Sequence, residues 1–200
     1  MAIRMKSEDR RADILRTAIH LFAGKGFRGT TTRELAGAAG VTEPVLYQHF
    51  PSKKELYAAI IEAKAGSAAG HAAELRALAA SGHDEEFLTR LAGLILRRYQ
   101  EDPELSRLLL FSSLEGHELS ELFFERVYAG FYKLVTGYIR RRIREGGFRK
   151  VNAEVAARSV LGMITYHGHV AILFPERFGL DNVGSLASQT AKIFLGGIRA

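Results

Sequence analysis

The stretch TTRELAGAAGVTEPVLYQHFPSKKEL, residues 31–56, decides the fold. Thr31 followed by Glu34 has the spacing of a capping box, in which the hydroxyl and the carboxylate each satisfy a backbone N–H at the start of a helix. A short helix is therefore predicted to end near Ala39. Gly40 makes the tight turn after it, because glycine adopts positive φ without a steric penalty. Thr42 is placed to cap the next helix, and Pro44 is tolerated in its first turn, where backbone N–H groups lack intrahelical partners. Pro51 closes that helix, and Ser52 with Glu55 forms a second capping box that opens another. Leu35, Ala36, Ala39, Val41, Leu46 and Phe50 have the spacing to pack the two short helices together, with Ala36 small enough for close approach. This leaves Thr42, Pro44, Val45, Tyr47, Gln48 and His49 largely on other faces. Two short helices with this division present the second to base edges in a major groove, so sequence-specific DNA binding is the leading expectation.

Working outward, the formal net charge of +6 favours a polyanionic partner,. The excess is uneven: through Lys64 there are 11 Lys+Arg against 7 Asp+Glu, and after it 17 against 15. The basic part is the one that holds the helix-turn-helix. No cysteine occurs, which excludes disulfides, thiolate metal sites and a cysteine nucleophile,. The start, MAIRMKSEDRR, lacks the apolar core of a signal peptide, and the run from Ser159 to Phe174 contains His167 and His169 and falls short of the roughly 18–20 apolar residues of a membrane span,. A soluble, cytoplasmic protein is expected.

Apolar residues recur at spacings of three and four in most windows and only four prolines occur, so the chain reads as all-α,. A first helix is predicted from about Glu8 to Gly24, with Ser7 as N-cap and Ile14, Leu15, Ala18, Ile19 and Phe22 as its buried stripe. The helix opened by Ser52 should run toward Ala80 and join an N-terminal DNA-binding module, residues 1–56, to a larger module, residues 57–200. Further helices are predicted near Asp84–Glu101, Pro103–Leu114, Leu119–Glu145, Asn152–Phe174 and Asn182–Ile198. With no long flexible linker, the two modules should be packed together rather than tethered.

AGAAGVTEPVLYQHFPSKKEL, residues 36–56, resembles the DNA-binding segment of the TetR family of bacterial transcriptional regulators, and the resemblance covers about the first quarter of the chain. The helical remainder, including EGGFRKVNAEVAARSVLGM, is similar in general pattern to that family's ligand-binding and dimerisation domain. The resemblance implies phosphate contacts from Thr32, Arg33, Tyr47, His49 and Lys53. It implies base-edge positions for Thr42, Glu43, Pro44, Val45 and Gln48, and Thr31 joins the set beside its capping role. Lysine at a helix start opposes the helix dipole, so a nearby phosphate would explain Lys53 better than helix stability does. Glu43 is harder to explain: phosphates repel a carboxylate, although it could accept from a cytosine N4 amine or simply favour the helix start.

In the larger module, Asn152–Phe174 and Asn182–Ile198 are apolar on more than one side, which suits burial inside the subunit on one face and contact with a partner on another. The resemblance implies that these two helices pair with their symmetry mates, and Leu161, Thr165, Ile172, Ala187, Ala191 and Phe194 are the candidate dimer contacts. A two-fold dimer in turn implies a pseudo-palindromic operator. An aromatic-rich set that includes Phe123, Phe124 and Phe131 suggests either core or an apolar cavity with a few polar groups. The candidate ligand-binding residues are Tyr99, Phe111, Glu115, Tyr128, Tyr132, Met163, Tyr166 and His167, with His117 nearby in sequence.

No cofactor is implied. His167 and His169 project about 200° apart on a helix and do not form a metal pair, which needs i,i+4 spacing. The Arg140, Arg141, Arg142, Arg144 cluster reads as a solvated face complementing a helix C-terminus that ends at Gly146 and Gly147. With no phosphate-binding glycine loop or nucleophile arrangement, no residue is assigned a catalytic role. The expectation is a dimeric regulator, in the first place a repressor released by a small, largely apolar effector. The alternatives are an activator or effector-independent DNA-binding protein and, further off, an α-helical enzyme or lipid carrier.

Overall fold

Helical periodicity carries through the chain. The computed structural model describes residues 7–114 and 118–200, without side chains at 64–70, 72, 118, 119 and 127. Its elements are α1 (Ser7–Lys25), α2 (Thr32–Ala38), α3 (Glu43–His49), α4 (Lys53–Ser81), α5 (Asp84–Glu101), α6 (Pro103–Leu114), α7 (Glu118–Phe123), a π-helical turn (Phe124–Tyr128), α8 (Ala129–Arg144), α9 (Ala153–Leu173) and α10 (Val183–Ile198). The helix expected over Leu119–Glu145 is interrupted by that π turn. One extra residue in a turn rotates the side chains after it by about 100°, but a single five-residue turn is too short for spacings of three and four to expose that shift in the sequence,. These elements pack as two compact units: the residues up to Gly66 with Glu104–Arg126, and Ser67–Pro103 with Val127–Ala200.

In the first unit, Ile14, Ala18 and Phe22 form the buried stripe of α1, while Leu15 and Ile19 are only half-buried. They meet Leu35 and Ala36 of α2, Leu46 and Phe50 around α3, and Leu56, Tyr57, Ile60 and Ile61 of α4 in the unit's core. The rings of Phe22, Phe27 and Tyr57 cluster with centroids 5.5–5.9 Å apart, a spacing at which aromatic pairs add to the energy of burial. The Tyr57 hydroxyl is hydrogen-bonded to Ser112 of α6, so the polar end of a buried ring is satisfied,.

In the second unit α5 packs on α9 and α10, and α8 packs on α9. Phe87, Leu88, Leu91 and Leu96 of α5, Val135 and Ile139 of α8, Val160 and Ile164 of α9, and Ala191 and Leu195 of α10 form its core. At the arginine-rich end of α8, Arg140 and Arg144 are exposed as the solvated-face expectation has it, while Arg141 and Arg142 depart from it. Arg142 donates from Nε and Nη2 to Asp84 at 2.8 and 3.1 Å, and Asp84 is nearly buried. The Tyr138 hydroxyl also donates to Asp84, and Arg141 donates to the carbonyl of Ala79. These side chains turn inward because the α4–α5 connection offers a carboxylate and a carbonyl near the end of a helix,.

Candidate nucleic-acid interface

The turn between α2 and α3 depends on Gly40, whose φ is +65°. There the Gly40 N–H donates to Gly37 and the Val41 N–H to Ala36 at 2.9 Å, closing the end of α2,. Ala36 and Leu46 are buried between the helices, so α3 leaves α2 at a fixed angle. Phe50 ends α3 buried, and the Arg11 guanidinium lies 4.5 Å from its ring centre. Thr42 takes the N-cap position with extended backbone, but its hydroxyl makes no cap bond, which departs from the capping expected of it.

Polar contacts hold the surroundings. The capping box of Thr31 and Glu34 is complete, with both reciprocal bonds present. Lys25 Nζ also lies 2.6 Å from Glu34 Oε1. The Lys25 hydrogen bond and the two from Thr31 hold the Glu34 carboxyl well below its ordinary value, at about 2,. Lys53 Nζ donates to the carbonyls of Phe27 and Thr30 at 2.8 and 2.9 Å and lies 4.3 Å from the Phe27 ring centre. It therefore fastens the loop before α2 to the start of α4, an intramolecular reason for its position that its sequence context does not show.

All eleven sequence-selected DNA residues lie in this one unit. Thr31, Arg33, Thr42, Pro44, Tyr47 and Gln48 are exposed, and Thr32, Glu43, Val45, His49 and Lys53 are half-buried. Glu43 Oε2 accepts from the Thr32 hydroxyl at 2.9 Å, and Oε1 lies 3.8 Å from Arg33 Nε, so α3 and α2 are linked at their starts. A seven-residue helix is about 10 Å long and fits across a major groove roughly 12 Å wide,. Its exposed side offers hydroxyl, amide and phenol groups beside a guanidinium. This is the chemistry of hydrogen bonding to phosphates and base edges.

The expected ligand-binding residues are divided between the units. Phe111 is exposed on α6 in the first unit, and Glu115 and His117 fall outside the described residues. In the second unit the Tyr128 and Tyr132 rings stack 6.0 Å apart, and both pack with Met163 against the core. Tyr166 is exposed, with its ring edge-on to His167. Tyr99 meets the ring of His169 edge-on at 5.7 Å, and burial pushes its hydroxyl up to about 12. Burial pushes the His169 imidazole down, which favours the neutral ring,. His169 lies outside the residues expected to bind a ligand; the sequence weighed it only as a metal partner of His167. A groove of about 620 Å³ between the end of α8 and the start of α9 is lined by Arg140, Arg144, Val151 and Glu154 among others, and by none of the selected residues.

Of the expected dimer contacts, Leu161, Ile172, Ala187, Ala191 and Phe194 are buried within the single chain, and Thr165 is half-buried with its hydroxyl bonded to the Leu161 carbonyl. The outward faces of the same helices instead carry Val155, Tyr166, Leu173 and Ile193.

Residues 14–60 match the family described as bacterial regulatory proteins, tetR family. The chain is 27% identical over 194 residues to the transcriptional repressor KstR2 of Rhodococcus jostii, covering 94% of this chain and 91% of that protein. It is 30% identical over 144 residues to the nucleoid occlusion factor SlmA of Marinobacter nauticus, covering 70% of each. Its fold matches that of the fatty acid degradation regulator FadR of Bacillus halodurans with a TM-score of 0.72, at 20% identity and over 94% of this chain and 99% of that one. The reading of residues 31–56 as a helix-turn-helix and the likeness along nearly the whole chain converge, and the chain belongs to the TetR family of bacterial regulatory proteins as a DNA-binding transcriptional regulator.

Proposed function

We propose that the protein is a homodimeric repressor that occupies a pseudo-palindromic operator and leaves it when a small, largely apolar effector binds. The observation that carries this reading is the exposed side of α3 and the start of α2, where Arg33, Thr42, Tyr47 and Gln48 project from a packed, capped and clamped frame. The likeness to a repressor over almost the full chain supports repression over activation. DNA contact is assigned to residues 1–56 and effector and dimer functions to residues 57–200. A cytoplasmic, non-enzymatic role accords with relatives that are regulators, and no described helix is long and apolar enough to cross a membrane.

The dimer is assigned to the outward faces of α9 and α10, because Val155, Tyr166, Leu173 and Ile193 leave apolar area uncovered there,. The effector is assigned to the second unit's aromatic side chains, Tyr128 and Tyr132 packed with Met163 against the core and Tyr99 against His169, which supply apolar surface with phenol hydroxyls for orientation,. Release requires the effector to favour a state in which the two recognition helices are no longer about 34–36 Å apart, and operator DNA must then weaken effector binding by the same factor. Gel-shift titration against the promoter region of its own gene tests the reading: a sequence-selective, salt-dependent shift is expected, and binding that ignores both sequence and salt refutes it.

The likeness to a nucleoid occlusion factor favours a second reading, a DNA-binding protein without an effector. A thermal-shift screen of apolar small molecules separates the two, since the repressor reading requires a ligand that both stabilises the protein and weakens operator binding.

A further inference from the structure

Among the residues expected to face DNA, Glu43 alone carries a negative charge. Every phosphate of every duplex repels it, so a carboxylate there lowers sequence-independent affinity. Its environment is built rather than incidental. One oxygen accepts from the Thr32 hydroxyl at 2.9 Å and the other lies 3.8 Å from Arg33 Nε. Thr32 is half-buried at the start of α2, and the Glu43 side chain is 37% exposed while that of Arg33 is 91% exposed. The carboxylate is thus anchored on its inner side and paired on its outer side with an exposed guanidinium. An exposed ion pair of this kind is weak enough for a duplex to break.

We propose that Glu43 determines specificity by discrimination: anchored by Thr32, its carboxylate holds Arg33 back from indiscriminate phosphate contact, and its outer oxygen is satisfied on DNA by a cytosine N4 amine. On a duplex that lacks cytosine at that step the charge meets no donor, and the repulsion is uncompensated. On a matching duplex the amine replaces Arg33, which is released to the nucleic acid. The residue therefore lowers affinity for most sequences more than for one, which is how a repulsive element creates selectivity. This inference rests on the DNA-binding reading above.

The test uses the full chain, as wild type and as Glu43→Gln, which keeps an acceptor for Thr32 and removes the charge. Each protein is put through selection from a duplex library with a randomised core, then titrated against one fixed mixed-sequence duplex. Between about 50 and 200 mM salt, Glu43→Gln should bind that duplex roughly 5- to 10-fold tighter, with a log–log salt slope steeper by up to ~0.9 as Arg33 reaches a phosphate. The cytosine preference at one step of each half-site should disappear from its selected motif. Thr32→Val, which keeps the charge and removes the anchor, should relax the preference at that same step. Wild-type affinity, slope and motif in Glu43→Gln, or an unchanged motif in both variants, overturns the proposal. If the wild type itself enriches no motif, the regulator reading has failed, an outcome distinct from failure of Glu43 alone.

Discussion

At the scale of single residues, several side chains near the surface proposed to face DNA act on the protein itself. Lys53 joins two carbonyls of the loop before α2, so removing its ammonium leaves those acceptors short of a charged donor. Lys53→Met is expected to lower stability by about 1–3 kcal/mol as well as weaken DNA binding, measured by urea melts beside gel shifts. Loss of binding with unchanged stability would return Lys53 to a purely phosphate-binding role. Glu34 makes a second prediction through pH. Its folded carboxyl is held at about 2, below the ordinary 4.5, so its stabilising effect is present above about pH 4.5 and is lost as pH falls toward 2,. The stability difference between wild type and Glu34→Gln should therefore be constant above about pH 5 and shrink through that window, followed by urea melts at stepped pH. A difference that grows on acidification would show that Lys25 and Thr31 do not hold the carboxylate ionised.

At the scale of elements, the second unit is fastened where α8 reaches the α4–α5 connection. Asp84 takes two bonds from Arg142 and one from Tyr138, and breaking a nearly buried pair by removing one partner leaves the other charge uncompensated,. Asp84→Ala should cost about 3 kcal/mol, read from the urea midpoint, while a loss within ~0.5 kcal/mol would mean that solvent and Glu145, whose Oε2 accepts from Arg142 Nη1 at 2.7 Å, suffice for Arg142,. Asp84 and Arg142 are 58 residues apart, and this distance explains what the sequence could and could not reveal. Devices that act within four residues were legible: the Thr31–Glu34 box, the positive φ of Gly40 and the ends of α5 and α6. Clamps between distant positions were not, because no periodicity relates Lys53 to Phe27 or Glu43 to Thr32. Inward turning of Arg141 and Arg142 was hidden for the same reason, and the π turn was hidden because a phase shift confined to one turn is too short to register in the apolar spacing,.

At the scale of the whole molecule, the question is what covers α9 and α10. Both helices are apolar on more than one face, and composition alone does not say which face the subunit keeps for itself. The fold places Leu161, Ile172, Ala187, Ala191 and Phe194 inside the chain and leaves Ile193 67% and Tyr166 64% exposed. Exposed apolar groups on two helices of one unit suit the association surface proposed above, and a two-fold pairing would bring the same residues of both copies together,. Ile193→Asp would place a charge on each side of that contact without entering the core. It should leave the helical circular dichroism intact, give a monomer by light scattering, and lower affinity for a duplex selected by the wild type at least 100-fold, since two half-sites are then no longer gripped as one. Sequence-independent binding at low salt should survive, because residues 31–56 remain folded in each monomer. A variant that stays dimeric and keeps its operator affinity would move the interface to another face of the protein, whereas one that becomes monomeric yet keeps full affinity would remove the need for a two-fold operator.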